Sequence, residues 1–204
     1  MKSKAYILAA FMILSLTANA GGRDFLKQLH AGIEWGYSLT PASFHHYNFL
    51  DESIGFRIDD KGWFTQPNSN AYVLGSLIYD VSSYYSISLL SGWQGVDLAR
   101  RMVPILLRMN IKPSGFDHDG FFFFSDMGLD LLDWNSQGNQ FQLGSGYSII
   151  LAPHYSIGLR VGARVIYDRP EIWDPIEEEY ISECNINRND ALYFALNIGL
   201  ILEF

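Results

Sequence analysis

The sequence predicts an all-β fold, an eight-stranded antiparallel up-and-down transmembrane β-barrel. Three observations in its 204 residues carry that expectation. Stretch after stretch alternates apolar and polar residues with a period of two, which gives a strand one greasy and one polar face. Eight such stretches follow one another. After the first twenty residues no apolar run reaches about eighteen, the length a membrane helix needs.

The start of the chain reads as an export signal. Lys2 and Lys4 precede an apolar run from Ala5 to Leu16, and Ala18-Asn19-Ala20 supplies the small-x-small pattern of a cleavage site. The expected organisation is therefore a cleaved signal peptide over 1–20 and a barrel domain over 21–204. A membrane anchor is the weaker reading, since the apolar core is nearer twelve residues than twenty. No Cys follows the cleavage site, so a lipid-anchored N-terminus is not expected.

Removing Lys2 and Lys4 from 14 basic and 22 acidic residues leaves 12 and 22, a net charge of −10 on 184 residues. An acidic chain with scattered arginines does not suit nucleic acid. With 49% hydrophobic and 18% charged residues it does not suit a disordered tail either. Cys184 is the sole cysteine, so no intramolecular disulfide can form, and a loop bystander is a better reading of it than a reactive thiol.

The first strand is expected over Leu29 to Leu39, with Leu29, Ala31, Ile33, Trp35, Tyr37 and Leu39 on one face and His30, Gly32, Glu34, Gly36 and Ser38 on the other. Strands two to six are expected over Ala71 to Val81, Tyr85 to Trp93, Arg101 to Ile111, Phe121 to Leu131 and Phe141 to Leu151. The second and third alternate weakly, and Pro104 in the fourth argues for a bulge or a ladder defect. The seventh runs from Tyr155 to Tyr167. The eighth runs from Leu192 to Phe204, its greasy face made of every second residue.

Connections alternate in length. Those at 81–85 and 152–155 are tight and that at 112–120 is moderate. Those at 93–101 and 131–141 are intermediate, and those at about 40–70 and 168–190 are long. Outer-membrane barrels combine short periplasmic turns with longer extracellular loops, so both termini are expected to face the periplasm. A soluble sandwich or lipocalin-like barrel would turn its greasy face inward and carry Lys, Glu and Thr outside. Here the less greasy face is mostly Gly and Ser with a few charges, which suits a crowded lumen.

The alternation assigns Glu34, Asp126, Asp130, Glu203, Arg108, Arg160 and Arg164 to that lumen, where they should form a salt-bridge and hydrogen-bond network. A proton or ion path is the alternative. Inward glycines, Gly32, Gly36, Gly144, Gly146, Gly158, Gly162 and Gly199, would make room for arginines and aromatics. Trp35, Tyr37, Trp93, Phe141 and Tyr167 are expected in one interfacial aromatic girdle and Tyr85, Phe121, Tyr155 and Phe204 in the other.

Signal segment, eight amphipathic segments and a last strand with Leu196, Ile198, Leu200, Leu202 and terminal Phe204 together resemble the small eight-stranded outer-membrane barrels of Gram-negative bacteria, the OmpX-like and OmpA-transmembrane-like group. The resemblance implies an outer-membrane location and contact with outer-membrane lipid and lipopolysaccharide. It also implies that Leu200, Leu202 and Phe204 are read by the barrel assembly machinery.

Chemistry in the expected loops is sparse. Ser43, His45, His46, Asp51, Glu52, Asp59, Asp60 and Trp63 lie in the first; a Ser, a His and a carboxylate there would suit a lipid-acylating or deacylating enzyme, although the spacing matches no motif. Adjacent histidines without a partner at ligand spacing do not suit zinc. Glu171, Asp174, Glu177, Glu178, Glu179 and Glu183 in the last long loop could meet calcium, but they lack a dedicated calcium pattern and read better as a solvated face. Phe44, Tyr47, Phe49, Phe56, Trp63 and Phe64 give the first loop an aromatic density that solvation alone does not require; rings resting on the rim or lipid headgroups are favoured over a binding surface. No cofactor or metal is implied. The function expected is that of a non-enzymatic structural or surface-interaction barrel, a monomer with a closed lumen, with a lipid-modifying enzyme and a small pore as alternatives.

Overall fold

The computed structural model describes residues 28–51, 55–65, 67–96, 101–132, 135–152, 155–174 and 178–204. The expected signal peptide lies outside them. Strands are β1 (Leu29–Asp51), β2 (Phe56–Phe64), β3 (Asn68–Asp80), β4 (Tyr85–Gly95), β5 (Arg101–Ile111), β6 (Gly120–Leu132), β7 (Asn135–Ala152), β8 (Tyr155–Asp168), β9 (Trp173–Asp174), β10 (Glu179–Tyr180) and β11 (Ile186–Glu203). Eight of them close a barrel in the order β1-β3-β4-β5-β6-β7-β8-β11, with β11 pairing back onto β1. Every ladder is antiparallel. The closure is tight at the chain's end, where Ala31 and Phe204 exchange two backbone hydrogen bonds of 2.9 Å.

All eight expected strands are present, and the alternation sorts them as read. Ile33, Leu77, Leu89, Ile105, Met127, Leu143, Leu159 and Leu196, one from each wall strand, face outward and are exposed. Glu34, Ile78, Leu90, Leu106, Asp126, Gln142, Arg160 and Asn197, their inward counterparts, are buried. The apolar face is the outer one, the reverse of a water-soluble barrel.

Three boundaries differ from the expectation. The segment expected as a loop at 40–70 is folded: β1 runs on to Asp51, and β2 returns beside it with Ser43 opposite Phe64 and Asp51 opposite Phe56. The other side of the same stretch is taken by β11, from Ala42↔Phe194 to Phe49↔Ile186, so a three-stranded β-sheet stands beyond the barrel rim. The sequence hides these strands because solvent wets both faces there and strict alternation is not required. The 131–141 connection is also mostly strand, since β6 ends at Leu132 and β7 begins at Asn135. Part of 168–190 is likewise ordered, as the small β9/β10 pair, a 3-10 turn at Glu183–Asn185 and the start of β11.

Two prolines explain irregularities. Pro41 lies between Leu39 and Ala42, where the β1/β11 register shifts. It has no amide N–H to give a ladder, so the strand bulges there. The extra residue reverses the parity: odd residues of β1 face outward up to Leu39, whereas above the bulge the odd residues share the face of buried Tyr193. Pro104 instead leaves a gap. Pairing of β4 with β5 stops after Ser91↔Ile105 and resumes at Gln94↔Met102 in unchanged register, a ladder defect without a bulge.

Gly36 and Gly199 oppose each other across β1 and β11. A Cβ on Gly36 would lie 2.1 Å from the Ile198 carbonyl oxygen and 2.8 Å from Tyr72 Oη; one on Gly199 would lie 2.0 Å from the same hydroxyl. The inward glycines Gly144 and Gly146 make room in the same way for Phe124 and Phe122, so the space serves aromatic rings. Gly36→Ala is therefore expected to lower stability by about 1–3 kcal/mol in denaturant unfolding, as an overpacked core does. Gly62→Ala, where nothing lies within 4 Å of the added Cβ, should cost nothing in the same measurement.

Candidate functional site: the filled lumen and the rim sheet

Inside an eight-stranded barrel there is room for side chains and little else, and this lumen fills in layers. The central layer joins four charged groups from four strands. Arg108 of β5 grips Asp126 of β6 with both ends of its fork, Nε to Oδ1 at 2.7 Å and Nη2 to Oδ2 at 2.8 Å, and reaches Glu34 Oε2 of β1 with Nη1 at 2.7 Å. Arg160 of β8 donates to the same Glu34 oxygen and stands 3.9 Å from Asp126. Two guanidinium groups and two carboxylates sum to zero, which is the condition for keeping them out of water. The Phe124 ring lies under both cations, 4.3 Å from Arg160 and 5.0 Å from Arg108, and adds the attraction of a desolvated cation–π contact.

Four residues further along three of these strands comes a second layer. Arg164 follows Arg160, Asp130 follows Asp126, and Ser38 follows Glu34; a spacing of four keeps a side chain on its face and carries it about 13 Å along the strand. Arg164 and Asp130 are linked through Gln94, whose Oε1 accepts from Arg164 Nη1 at 2.6 Å and whose Nε2 donates to Asp130 Oδ1 at 2.6 Å. Gln94 also donates to Gln140 Oε1 at 2.7 Å, while Arg164 Nη2 donates to Ser38 Oγ at 2.9 Å. Glu34 Oε1, Asp130 Oδ2 and the Nε atoms of Arg160 and Arg164 have no hydrogen-bond partner among the described residues, so the two layers are not fully matched.

Apolar clusters flank the two layers, and at the turn end polar groups follow, where Lys112 Nζ donates to Ser148 Oγ at 2.6 Å and Asn110 Nδ2 to Ser86 Oγ at 3.1 Å. Val96, Met102, Ile166, Ala191 and Tyr193 form a cluster beneath the rim sheet, and Phe122, Phe124 and Ile201 form another toward the turns. Of the seven charged residues assigned to the lumen, six belong to the two layers. Glu203 stands apart at the turn end, where it accepts from Ser156 Oγ at 2.7 Å. Gln94, Gln140 and Ser38 complete the network and were missed as site residues. Gln94 lies one position beyond Trp93, so continuing the alternation of β4 by one residue would have found it.

Outside, Trp35, Tyr37, Tyr85, Trp93, Phe121, Phe141, Tyr155 and Phe204 are all exposed on the wall, and Phe121 meets Tyr147 edge-on at 5.1 Å. Tyr167 is half-buried and its hydroxyl donates to Asp190. Trp93 carries the Arg101 guanidinium 5.8 Å above its ring. Leu200 is exposed on the outer wall, and Leu202 is half-buried beside it.

The rim sheet sorts the first segment's polar groups onto two faces. Ser43, His45 and Tyr47 share the inner face: Ser43 Oγ lies 2.9 Å from His45 Nε2, and His45 Nδ1 meets the Tyr47 hydroxyl. His45 also packs edge-on against Phe64 at 5.1 Å and Tyr193 at 5.5 Å. The third group of this Ser–His chain is a phenol; Asp51 and Asp60 share this inner face, Asp60 opposite Tyr47, while Asp59 lies on the other face and meets His46 Nε2 at 3.1 Å. The outer face carries an aromatic stack of Phe44, Trp63 and Phe194, with ring centroids 5.5 and 5.6 Å apart, and above it Arg57, Asp59 and Lys61. In the 168–190 region Glu171, Glu178 and Glu179 are exposed; Glu177 and the side chains of Asp174 and Glu183 lie outside what is described. Among the described residues no group of three His, Cys, Asp or Glu could hold a metal ion.

No protein-family model matches the chain, and no curated protein matches it. Three solved structures that resemble it are outer-membrane proteins. The outer membrane protein OprG from Pseudomonas aeruginosa has 12% identity and a TM-score of 0.44, with 86% of this chain and 95% of that one covered. The outer membrane protein AlkL, solved in DMPC lipid bilayers, has 14% identity and a TM-score of 0.43 over 87% and 90%. The outer membrane protease OmpT from Escherichia coli has 9% identity and a TM-score of 0.40 over 85% and 96%.

The central layer gives a quantitative expectation. Arg108→Leu strands one carboxylate charge in a dry lumen and should cost about 3–5 kcal/mol in equilibrium unfolding. The double variant Arg108→Leu/Asp126→Leu leaves Glu34 and Arg160 as a neutral pair, so it should be more stable than the single one. A double variant no better than Arg108→Leu would show that the charges do not act as a unit.

Proposed function

We propose that this protein is an outer-membrane β-barrel with a structural or surface-interaction role, closed to solutes, its termini in the periplasm and its rim sheet outside the cell. The observation that carries the reading is the inversion of the wall. Leu159, Val161, Leu196 and Ile198 stand about half exposed on a predominantly apolar outer surface, while Glu34 at 1%, Asp126 at 0% and Arg160 at 2% are sealed within. Such a wall is stable where lipid, and not water, lies against it. Continuous water along the axis would wet those charges, and the layers they form, with the apolar clusters on either side, support a lumen closed to it. Contacts with lipopolysaccharide at the aromatic wall, and recognition of Leu200, Leu202 and Phe204 by the assembly machinery, belong to the same proposal.

Two measurements test it together. Refolded protein in a planar bilayer should give no steady conductance at neutral pH. Leu159→Arg and Leu200→Arg, each placing a charge on the outer wall, should each lower stability in bilayers by about 2–4 kcal/mol. Steady conductance would overturn the closed lumen, and arginine variants that insert as well as wild type would overturn the membrane location.

A further inference from the structure

The rim sheet ends on an unpaired strand. Strand β2 pairs with β1 along one edge, and no other strand pairs with it among the described residues. It is nine residues long, Phe56-Arg57-Ile58-Asp59-Asp60-Lys61-Gly62-Trp63-Phe64, and largely exposed, with Phe56 72%, Trp63 62% and Phe64 48% accessible. An edge of this length holds a row of backbone donors and acceptors ready for another strand, and natural proteins usually cover or interrupt such an edge. A strand added there gains main-chain hydrogen bonds, and its side chains decide which strand fits.

We propose that the β2 edge pairs with the β2 edge of a second copy of this protein embedded in a facing membrane, so that the rim sheets of two copies join into one. The inference rests on the outer-membrane reading above and names the partner of its surface role. The support is the sequence of β2 itself. Laid antiparallel on its own copy about Asp60, the strand overlaps along its whole length. Asp59 then falls opposite Lys61 twice, Arg57 opposite Trp63 twice, and Phe56 opposite Phe64 twice. Opposite charges and cation–aromatic neighbours directly across a ladder are favourable. A slip of two residues removes this: one direction sets Arg57 against Lys61 and Asp59 against its own copy, and the other sets Lys61 against its own copy. The single unfavourable meeting in the full-overlap register is Asp60 with Asp60, at the two-fold axis and on the opposite face of the sheet.

Chain direction says where the second copy sits. Strand β1 climbs away from the turn end to Asp51, and β2 descends from Phe56 toward the rim. Copies side by side in one membrane all descend together, so their edges cannot meet antiparallel. Only a copy in a facing membrane runs the other way. The chain can thus be a monomer within its own membrane and still meet itself across a gap of about 30 Å, the length of nine extended residues.

Phosphatidylcholine vesicles carrying the refolded full chain provide the test, with clustering followed by light scattering and by co-sedimentation of two dye-labelled vesicle populations. Wild-type vesicles should cluster. Asp59→Lys vesicles alone, and Lys61→Asp vesicles alone, should cluster about tenfold less, since each variant sets like charges opposite at two places. Mixing the two variants sets both lysines of one copy against both aspartates of the other at positions 59 and 61, and should restore clustering. Asp60→Asn should strengthen it by removing the central repulsion. Wild-type vesicles that stay dispersed, including a chain that captures only foreign extended peptides, would overturn the proposal. So would single variants that cluster like wild type, or a mixture that fails to recover. Protein that does not enter the vesicles at all would overturn the membrane reading first, which keeps the two failures distinct.

Discussion

The neutral square of Glu34, Arg108, Asp126 and Arg160 is the constraint on which the rest of the structure depends. An eight-stranded wall encloses a narrow interior, which inward aliphatic groups such as Ile78, Leu90, Leu106 and Ile166 fill only in part, so polar and charged side chains must fill the rest. Charges can fill it at bearable cost when their sum is zero and most of their polar atoms are bonded; here Glu34 Oε1 and Arg160 Nε alone of the square lack a partner among the described residues. Each member comes from a different strand, β1, β5, β6 and β8, so the square fixes the registers of far-separated walls at one depth. The glycines follow from it as well. Phe124 lies beneath both guanidinium groups, and the absence of a Cβ at Gly144, 2.3 Å from its ring, lets it lie there.

A second constraint comes from Pro41. By reversing the parity of β1 at the rim, it turns Phe44 outward to join Trp63 and Phe194, and turns Ser43, His45 and Tyr47 inward above the Tyr193 cluster. Without the bulge those two sets would change places, with the hydroxyls and imidazole on the side of the lipid and the rings over the lumen mouth. The proline therefore lets one continuous strand serve two surroundings. Below it the outer face must be apolar throughout; above it the same face carries an aromatic stack and then charge, the order of residues expected from hydrocarbon to headgroup to water.

How much of this can be read from the sequence depends on how harshly the surroundings punish an exception. Along Tyr155–Tyr167 and Leu192–Phe204 an error of parity would place Arg160 or Arg164 in lipid, so alternation is strict and the strands, the inward charges and the outward aromatics are all legible. Along Ala42–Phe64 water reaches both faces, His46 and Phe44 can share one of them, and the pattern carries no strand signal. The long hairpin accordingly reads as a loop in the sequence. The pairing of charges is legible only in part. That Arg108 would meet Asp126 follows from their facing positions on neighbouring strands, Arg108↔Asp126, whereas the contact of Arg164 with Asp130 through Gln94 depends on how far across the lumen each side chain reaches.

The same difference in strictness separates anchoring from recognition in this molecule. Within the wall each residue is held by its neighbours on two ladders, and a change of one side chain disturbs the lumen or the lipid face. Strand β2 is held by one ladder among the described residues, and its side chains meet only the rim: Arg57 donates to Asn48 Oδ1 at 2.7 Å, Asp59 meets His46, and Trp63 stands between Phe44 and Phe194. Its sequence also places Phe56, Arg57 and Asp59 at distances from Asp60 that mirror those of Phe64, Trp63 and Lys61. Folding of the hairpin does not require this symmetry, because β1 on the paired edge presents Asp51, Leu50 and Asn48 at one end and Ser43, Phe44 and His46 at the other, which are not mirror images. Two halves that complement each other about Asp60, on a strand whose closed edge faces an asymmetric partner, make a pattern whose complement is the strand itself running the other way.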